Sequence, residues 1–252
     1  MYYYNDPGFS YPAFWANREY EHEAEILAIQ RLLGEIRVDT AVDIGGGFGR
    51  LVGCLSIYAR RVIVVEPSDV QRKLAESFAP NAIIKDGHAG ATGLPIKSCD
   101  LVVMLRVAHH LPDLQDGIDE MYRILKPGGF LILEFANSNH FKSRLRHYFR
   151  LGSVPLTPIQ VNAQEMDIPF VNHHPSTVKK ALQREGFVIL KTLSVSNFRS
   201  TFLKKVLPVR TLLAWEGMSQ RLLALIHFGP SIFILARRSV TLKSAGLSRS
   251  NK

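Results

Sequence analysis

VDIGGGFGR, residues 42–50, is the stretch whose reading decides the fold. A short apolar run, TAVDI (40–44), ends in three consecutive glycines, and a fourth follows at 49. Glycine lets a backbone turn tightly and approach a ligand closely. A glycine loop between a first strand and a first helix marks the place where an open parallel sheet binds its ligand, beyond the carboxyl ends of its strands. Two glycine spacings compete. The dinucleotide fingerprint GxGxxG fails, because Arg50 or Val52 stands where its last glycine belongs. An acid-x-G-x-G-x-G spacing fits Asp43, Gly45, Gly47 and Gly49 without a gap.

Outward from this loop the chain alternates. RLVGCLSIYA (50–59) reads as a helix, VIVVE (62–66) as a buried strand, and DVQRKLAESF (69–78) as an amphipathic helix capped by Ser68 or Asp69. AIIK (82–85) and DLVVML (100–105) are strands, LQDGIDEMYRIL (114–125) is a helix, KPGG (126–129) a stop and turn, and FLILEFA (130–136) a strand. Strands alternating with helices of this length predict βαβ units. The expected fold is α/β: a Rossmann-like, doubly wound, mostly parallel seven-stranded sheet with helices on both faces and the last strand antiparallel.

The flanks divide the chain further. Residues 1–38 form an aromatic segment followed by a helix, a cap in which Pro7 and Pro12 oppose any helix before about residue 16. The main domain is 39–238. It carries an aperiodic insertion or lid over about 137–172 and a helical segment over about 200–228, helical from Pro208 onward. PSTVKKALQREG (175–186) is a helix with glycine past its end. FVILKTLSVS (187–196) and SIFILARR (231–238) are strands, and 239–252 reads as a disordered basic tail.

Several signatures in register resemble the class I S-adenosylmethionine-dependent methyltransferases, of the small-molecule type. They are the glycine loop, VVEPS (64–68), DLVVMLRVAHHLPD (100–113), RILKPGGFLIL (123–133) and STVKKALQREGF (176–187). The resemblance covers roughly 40–190 in the family's order. It implies S-adenosyl-L-methionine as cofactor, with Asp43 and the backbone of Gly45, Gly47 and Gly49 at its methionine end. Glu66, ending the second strand, is placed to accept from both ribose hydroxyls. Asp86 is the candidate for the adenine amino group, although the loop GHAGATG (87–93) is longer than the family's. Arg106 is a further cofactor-side candidate, or reads an anion on the substrate.

Methyl transfer is an in-line displacement that needs alignment first and a base only where the acceptor must lose a proton. His109 and His110 follow the fourth strand at the cofactor edge and are the candidate catalytic pair. The alternative for both is a structural role in holding the loop. His-His pairs at 109–110 and 173–174 lack carboxylate partners at ligand spacing, so no metal is expected.

The charge is lopsided. Residues 1–141 carry 13 Lys+Arg and 18 Asp+Glu, whereas 142–252 carry 18 and 4. That asymmetry points to an anionic or lipid-like small-molecule acceptor, with peripheral membrane contact a further reading of 204–226. FKSRLRHYFR (141–150) interleaves cations and aromatics, read as an amphipathic cover rather than a nucleic-acid surface. Two isolated cysteines, Cys54 and Cys99, fit a reducing compartment. The N-terminus lacks a signal-peptide pattern, and LLALIHFGPSIFILA (222–236) is too short and broken to span a bilayer. A cytoplasmic enzyme with no stable nucleic-acid partner is expected. The alternatives are an RNA-directed methyltransferase and a non-catalytic regulatory protein that binds the same cofactor.

Overall fold

The computed structural model describes residues 11–16, 18–111, 113–149, 152–162 and 169–240. The aromatics at 2–9, the tail beyond 240 and residues 150–151 and 163–168 of the 137–172 insertion lie outside the described residues.

The chain opens with α1 (Tyr11–Ala16) and α2 (Glu19–Leu33). A helix over 11–16 departs from expectation. Pro12 occupies the first turn, where a missing N–H and a fixed φ cost nothing. Then come β1 (Val38–Ile44), α3 (Val52–Leu55), β2 (Ala59–Val65), α4 (Asp69–Phe78), β3 (Ile83–Lys85), β4 (Cys99–Met104), α5 (Leu114–Ile124) and β5 (Leu125–Ala136). The ten-residue helix expected after the glycine loop shrinks to the single turn of α3, which holds the poor helix former Gly53. Ser68 caps α4, its hydroxyl accepting from the Gln71 N–H at 3.2 Å.

KPGG is strand, not turn. β5 starts at Leu125, pairs with Cys99, and crosses an irregularity before Phe130 pairs with Leu101. Gly128 adopts φ +80° there, so the glycines bend an edge of the strand rather than end a helix. After β5 come α6 (Phe141–Phe149), the β6 (Ile159–Asn162) and β7 (Pro169–Asn172) hairpin, α7 (Pro175–Glu185), β8 (Phe187–Val195), α8 (Thr201–Val206), α9 (Val209–Leu225) and β9 (Ser231–Arg238). Pro208 separates α8 from α9. Gly186, at φ +104°, closes α7 in the left-handed conformation expected of a C-cap.

The main sheet runs β3-β2-β1-β4-β5-β9-β8. β9 is antiparallel to both neighbours, and every other pairing in the sheet is parallel. Side chains alternate across it. Ala41, Leu101 and Val103 pack with α2, α3 and Leu212 of α9 on one face. Val42, Ile44, Val102 and Met104 pack with α5 and α7 on the other. The strand order reverses at β1/β4, so the loops after β1, β2 and β4 meet at one crevice.

Candidate functional site

The glycine loop is shaped by what presses on it. Gly45 sits at φ +67°, and a Cβ there would collide with Val107 of the loop after β4. Gly47 sits at φ +56°, and its Cβ would lie 2.9 Å from the Tyr11 ring of α1. The loop is thus held between β4 and the N-terminal cap, with its backbone exposed to nothing bulkier than hydrogen at these two positions.

Two carboxylates stand under this loop. Glu66 follows β2 and is 6 % exposed. Its Oε2 accepts from the Gly47 N–H at 3.0 Å and its Oε1 from the Ser68 N–H at 2.9 Å. Each oxygen keeps a further lone pair, so the group can still accept from two hydroxyls side by side. Burial pushes its pKa up, and the two N–H donors with Arg72 oppose the rise. Asp43, near the end of β1, is 1 % exposed. Its Oδ2 is buried and finds no hydrogen-bond partner. Burial pushes its pKa up to about 7, with Arg50 opposing the shift and the Glu66 charge adding to it. An orphaned carboxyl beneath a bare loop is what a cationic ligand would complete.

Asp86 lies at the outer edge of the crevice. Its side chain is 76 % exposed and pairs with Arg72 at 2.8 Å. Arg72 also donates to the carbonyl oxygens of Glu66 and Pro67, both at 2.9 Å, so one guanidinium ties Asp86 to the backbone of the Glu66 turn.

Arg106 leaves β4 with φ +61°. Its backbone N–H donates to Glu134 of β5 at 2.8 Å, and its Nε donates to Glu25 of α2 at 2.7 Å. Glu25 also takes Arg50 of the glycine loop at 2.7 Å. The Trp15 ring lies under the Arg50 guanidinium, 3.8 Å from its centroid. Burial opposes ionisation of Glu25, but Arg106 and Arg50 outweigh it and hold its pKa below the usual value. The guanidinium of Arg106 is therefore committed to the cap, which places it as a fastener between α2 and the crevice. Sequence reasoning missed Glu25, Arg50, Trp15 and Glu134. The acid in α2 reads as a polar helix position, and only the fold brings it to the loop.

His109 is buried in a 3-10 turn over Ala108–His110. Its ring stacks on Phe170 of β7 at 4.1 Å and lies 4.0 Å from the His110 ring. Burial first, then His110, Arg106 and His173, push its pKa well below the ordinary histidine value. It is a neutral ring at neutral pH. The Ala108 carbonyl, 3.1 Å from His173 Nε2, can only accept, so His173 donates through Nε2. His174 caps α7, accepting from the Ser176 N–H at 3.2 Å. The hairpin β6–β7 thus folds over the 108–110 turn, and the ends of the insertion meet where Ser138 N–H donates to the His173 carbonyl at 3.0 Å.

The donor set suits a nucleoside with a cationic amino-acid tail: paired acceptor capacity at Glu66, an orphaned carboxyl at Asp43 and close backbone approach at Gly45 and Gly47. Among the described residues, no cluster of three or more His, Cys, Asp or Glu side chains could hold a metal. No helix among them is long and apolar enough to cross a membrane.

Comparison with known proteins bears on the domain and the fold. Residues 42–133 match the family model of a methyltransferase domain. A protein of Mycolicibacterium smegmatis named "Probable S-adenosylmethionine-dependent methyltransferase" is 27 % identical over 193 residues, covering 75 % of this chain and 65 % of the relative. The uncharacterized methyltransferase YcgJ of Bacillus subtilis is 30 % identical over 117 residues, covering 44 % of this chain and 46 % of the relative. The chain thus spans less than two thirds of the length of these curated relatives. Among solved structures, a methyltransferase of Thermotoga maritima superposes with TM-score 0.62 at 20 % identity, covering 91 % of this chain and 94 % of its own. An S-adenosylmethionine-dependent methyltransferase of Mesorhizobium loti gives 0.61 at 18 % identity, covering 85 % and 98 %. At that identity the likeness is one of fold. Taken with the methyltransferase-domain match over the glycine loop and β2, β4 and β5, it gives the chain the fold of the class I S-adenosylmethionine-dependent methyltransferases and a methyltransferase domain over 42–133.

Proposed function

We propose that this chain transfers a methyl group from S-adenosyl-L-methionine to a small-molecule acceptor that is anionic or lipid-like. The observation that carries the reading is the pair Glu66 and Asp43, one carboxylate with acceptor capacity left on both oxygens and one with an orphaned oxygen, under a glycine-rich loop. The names of the relatives support the methyl-transfer part of the reading.

Bound in this crevice, the cofactor supplies an activated methyl on a sulfonium. The protein's part is binding and alignment. Glu66 accepts from the ribose hydroxyls while its existing bonds to Gly47 and Ser68 keep the carboxylate from swinging away. Asp43 balances positive charge at the methionine end. Asp86, through its free oxygen, serves the adenine amino group, and Arg72 fixes its position.

The acceptor side falls to His109 and His110 and to the loop they end. His109 is a weak base where it stands, since a base works best with a pKa near the working pH. Its role is to shape and desolvate the acceptor site with Phe170, and proton removal, where the acceptor requires it, falls to His110. Arg106 acts through Glu25, holding the cap against the crevice.

Calorimetric titration with S-adenosylmethionine, its demethylated product and NAD tests the reading. Micromolar binding of the first two and none of NAD is expected. Binding of neither, by a protein that melts cooperatively, overturns it.

A further inference from the structure

The large apolar side chains left at the surface concentrate on three helices. On α9, Met218, Leu222 and Leu225 are 69 %, 68 % and 79 % exposed. Spacings of four and three place them on one stripe. Phe202 and Val206 extend it along α8. On α6, Leu145, Tyr148 and Phe149 are also exposed. α6 adjoins the end of α9, because the Phe141 ring stacks on Phe228 at 5.2 Å and the Phe141 N–H donates to the Phe228 carbonyl at 3.0 Å.

The charge on this face has one sign. Across 139–149 and 197–238 the sole acid is Glu216. It is fully buried and takes the Tyr20 hydroxyl at 2.7 Å and the Ser196 N–H at 2.8 Å. Lys142 and Arg146 on α6, Lys205 on α8, and Arg210 and Arg221 on α9 are exposed. Among the described residues none of these five belongs to an ion pair, although Lys204 of α8 pairs with Glu21 of α2 at 2.8 Å, and cations elsewhere are paired too. Isolated surface apolars need no explanation, but a contiguous patch does. A patch of apolar side chains with exposed cations and no exposed acid on its own helices is complementary to anionic headgroups over acyl chains.

The face also rims the binding edge of the sheet. α6 starts just past Ala136, the last residue of β5, and α9 leads into Ser231, which pairs with Ala136. We infer that the α6–α8–α9 face docks the protein on an anionic lipid surface, with the mouth of the crevice beside the bilayer. This inference stands apart from methyl transfer, which concerns the crevice itself.

Flotation of the full chain with phosphatidylcholine vesicles, and with vesicles in which about one third of the lipid is phosphatidylglycerol, tests it. Partition into the anionic vesicles, little into the neutral ones, and release at high salt are expected. Arg210→Glu with Arg221→Glu should weaken partition about 30-fold or more, since each basic residue near the surface contributes roughly a factor of five. Leu222→Glu with Leu225→Glu should abolish it. Ile96→Glu, an exposed apolar position elsewhere at 62 % exposure, should leave it unchanged. Melting curves confirm that each variant folds, and titration with S-adenosylmethionine on the same samples reads the crevice separately. No partition into either vesicle overturns the inference. So does equal partition into both, or a concentration-dependent dimer that the Leu222 and Leu225 substitutions dissolve in place of vesicle binding.

Discussion

Glu25 on α2 accepts from Arg106 at 2.7 Å across 81 residues of sequence. The same carboxylate takes Arg50 at 2.7 Å through its other oxygen. One acid on the cap therefore fastens both the glycine loop and the loop after β4, the two segments that frame the crevice. Removing one member of a buried ion pair leaves charge uncompensated, which costs more than the pair contributes. Glu25→Gln should lower stability by about 3 kcal/mol and weaken cofactor binding with it. The exposed neighbour variant Glu23→Gln should stay within about 0.5 kcal/mol of wild type. Urea denaturation of the two variants checks this. Equal stabilities would show that Glu25 does not fasten the two loops.

Glu66 holds the loop and, on the proposed function, the ribose. Glu66→Gln keeps the shape but removes the charge that strengthens its hydrogen bonds. Cofactor affinity should fall by about 2 kcal/mol, roughly 30-fold. Calorimetry gives the affinity and a melting curve gives the fold. An unchanged Kd in a protein of normal Tm would take Glu66 out of the site.

Much of this was legible in the sequence, and the failures share a cause. Alternating strands and helices, the antiparallel final strand, the Ser68 cap and the Gly186 stop all rest on local patterns, and they appear where the patterns put them. KPGG misled because its turn chemistry is local, whereas the pairing on either side of it, Leu125 with Cys99 and Phe130 with Leu101, is with residues 26 and 29 positions away. Pro12 misled because a proline forbids a helix interior, not a first turn. Asp43, Glu66 and the glycines announce themselves by spacing. Glu25, Trp15 and Glu134 do not, because their partners come from other elements and no period in their own segment marks them.

His227 follows α9 and is half-buried, and its pKa is pushed down to about 4 by burial first, then by Lys179, His174 and Arg144. The folded state resists a proton that the unfolded chain accepts near pH 6.5. Its contribution to stability is present above about pH 6.5 and is lost as the pH falls toward 4. His227→Asn removes that dependence. Asparagine also tolerates the left-handed backbone at this position, where φ is +49°. Between pH 7 and 5, Tm of the variant should fall less steeply than that of wild type. Parallel slopes would show that His227 is hydrated and unshifted.

Asp43 titrates with the opposite sign. Its pKa of about 7 lies above the unfolded value of 3.8, so the folded state holds the proton more tightly. Its contribution is greatest at low pH and declines as pH rises from about 4 to 7. A cation bound beside the carboxylate reverses the preference and favours the ionised form. Affinity for S-adenosylmethionine should therefore rise with pH up to about 7 and level off above it, as binding expels the Asp43 proton. Asp43→Asn keeps the shape, loses the charge and should flatten that rise while lowering affinity above pH 7. Titrations at about pH 6, 7 and 8, in buffers of different ionisation enthalpy, count the proton released. Proton release that persists in Asp43→Asn would assign the linkage to another group and leave Asp43 a buried turn acid with no part in binding.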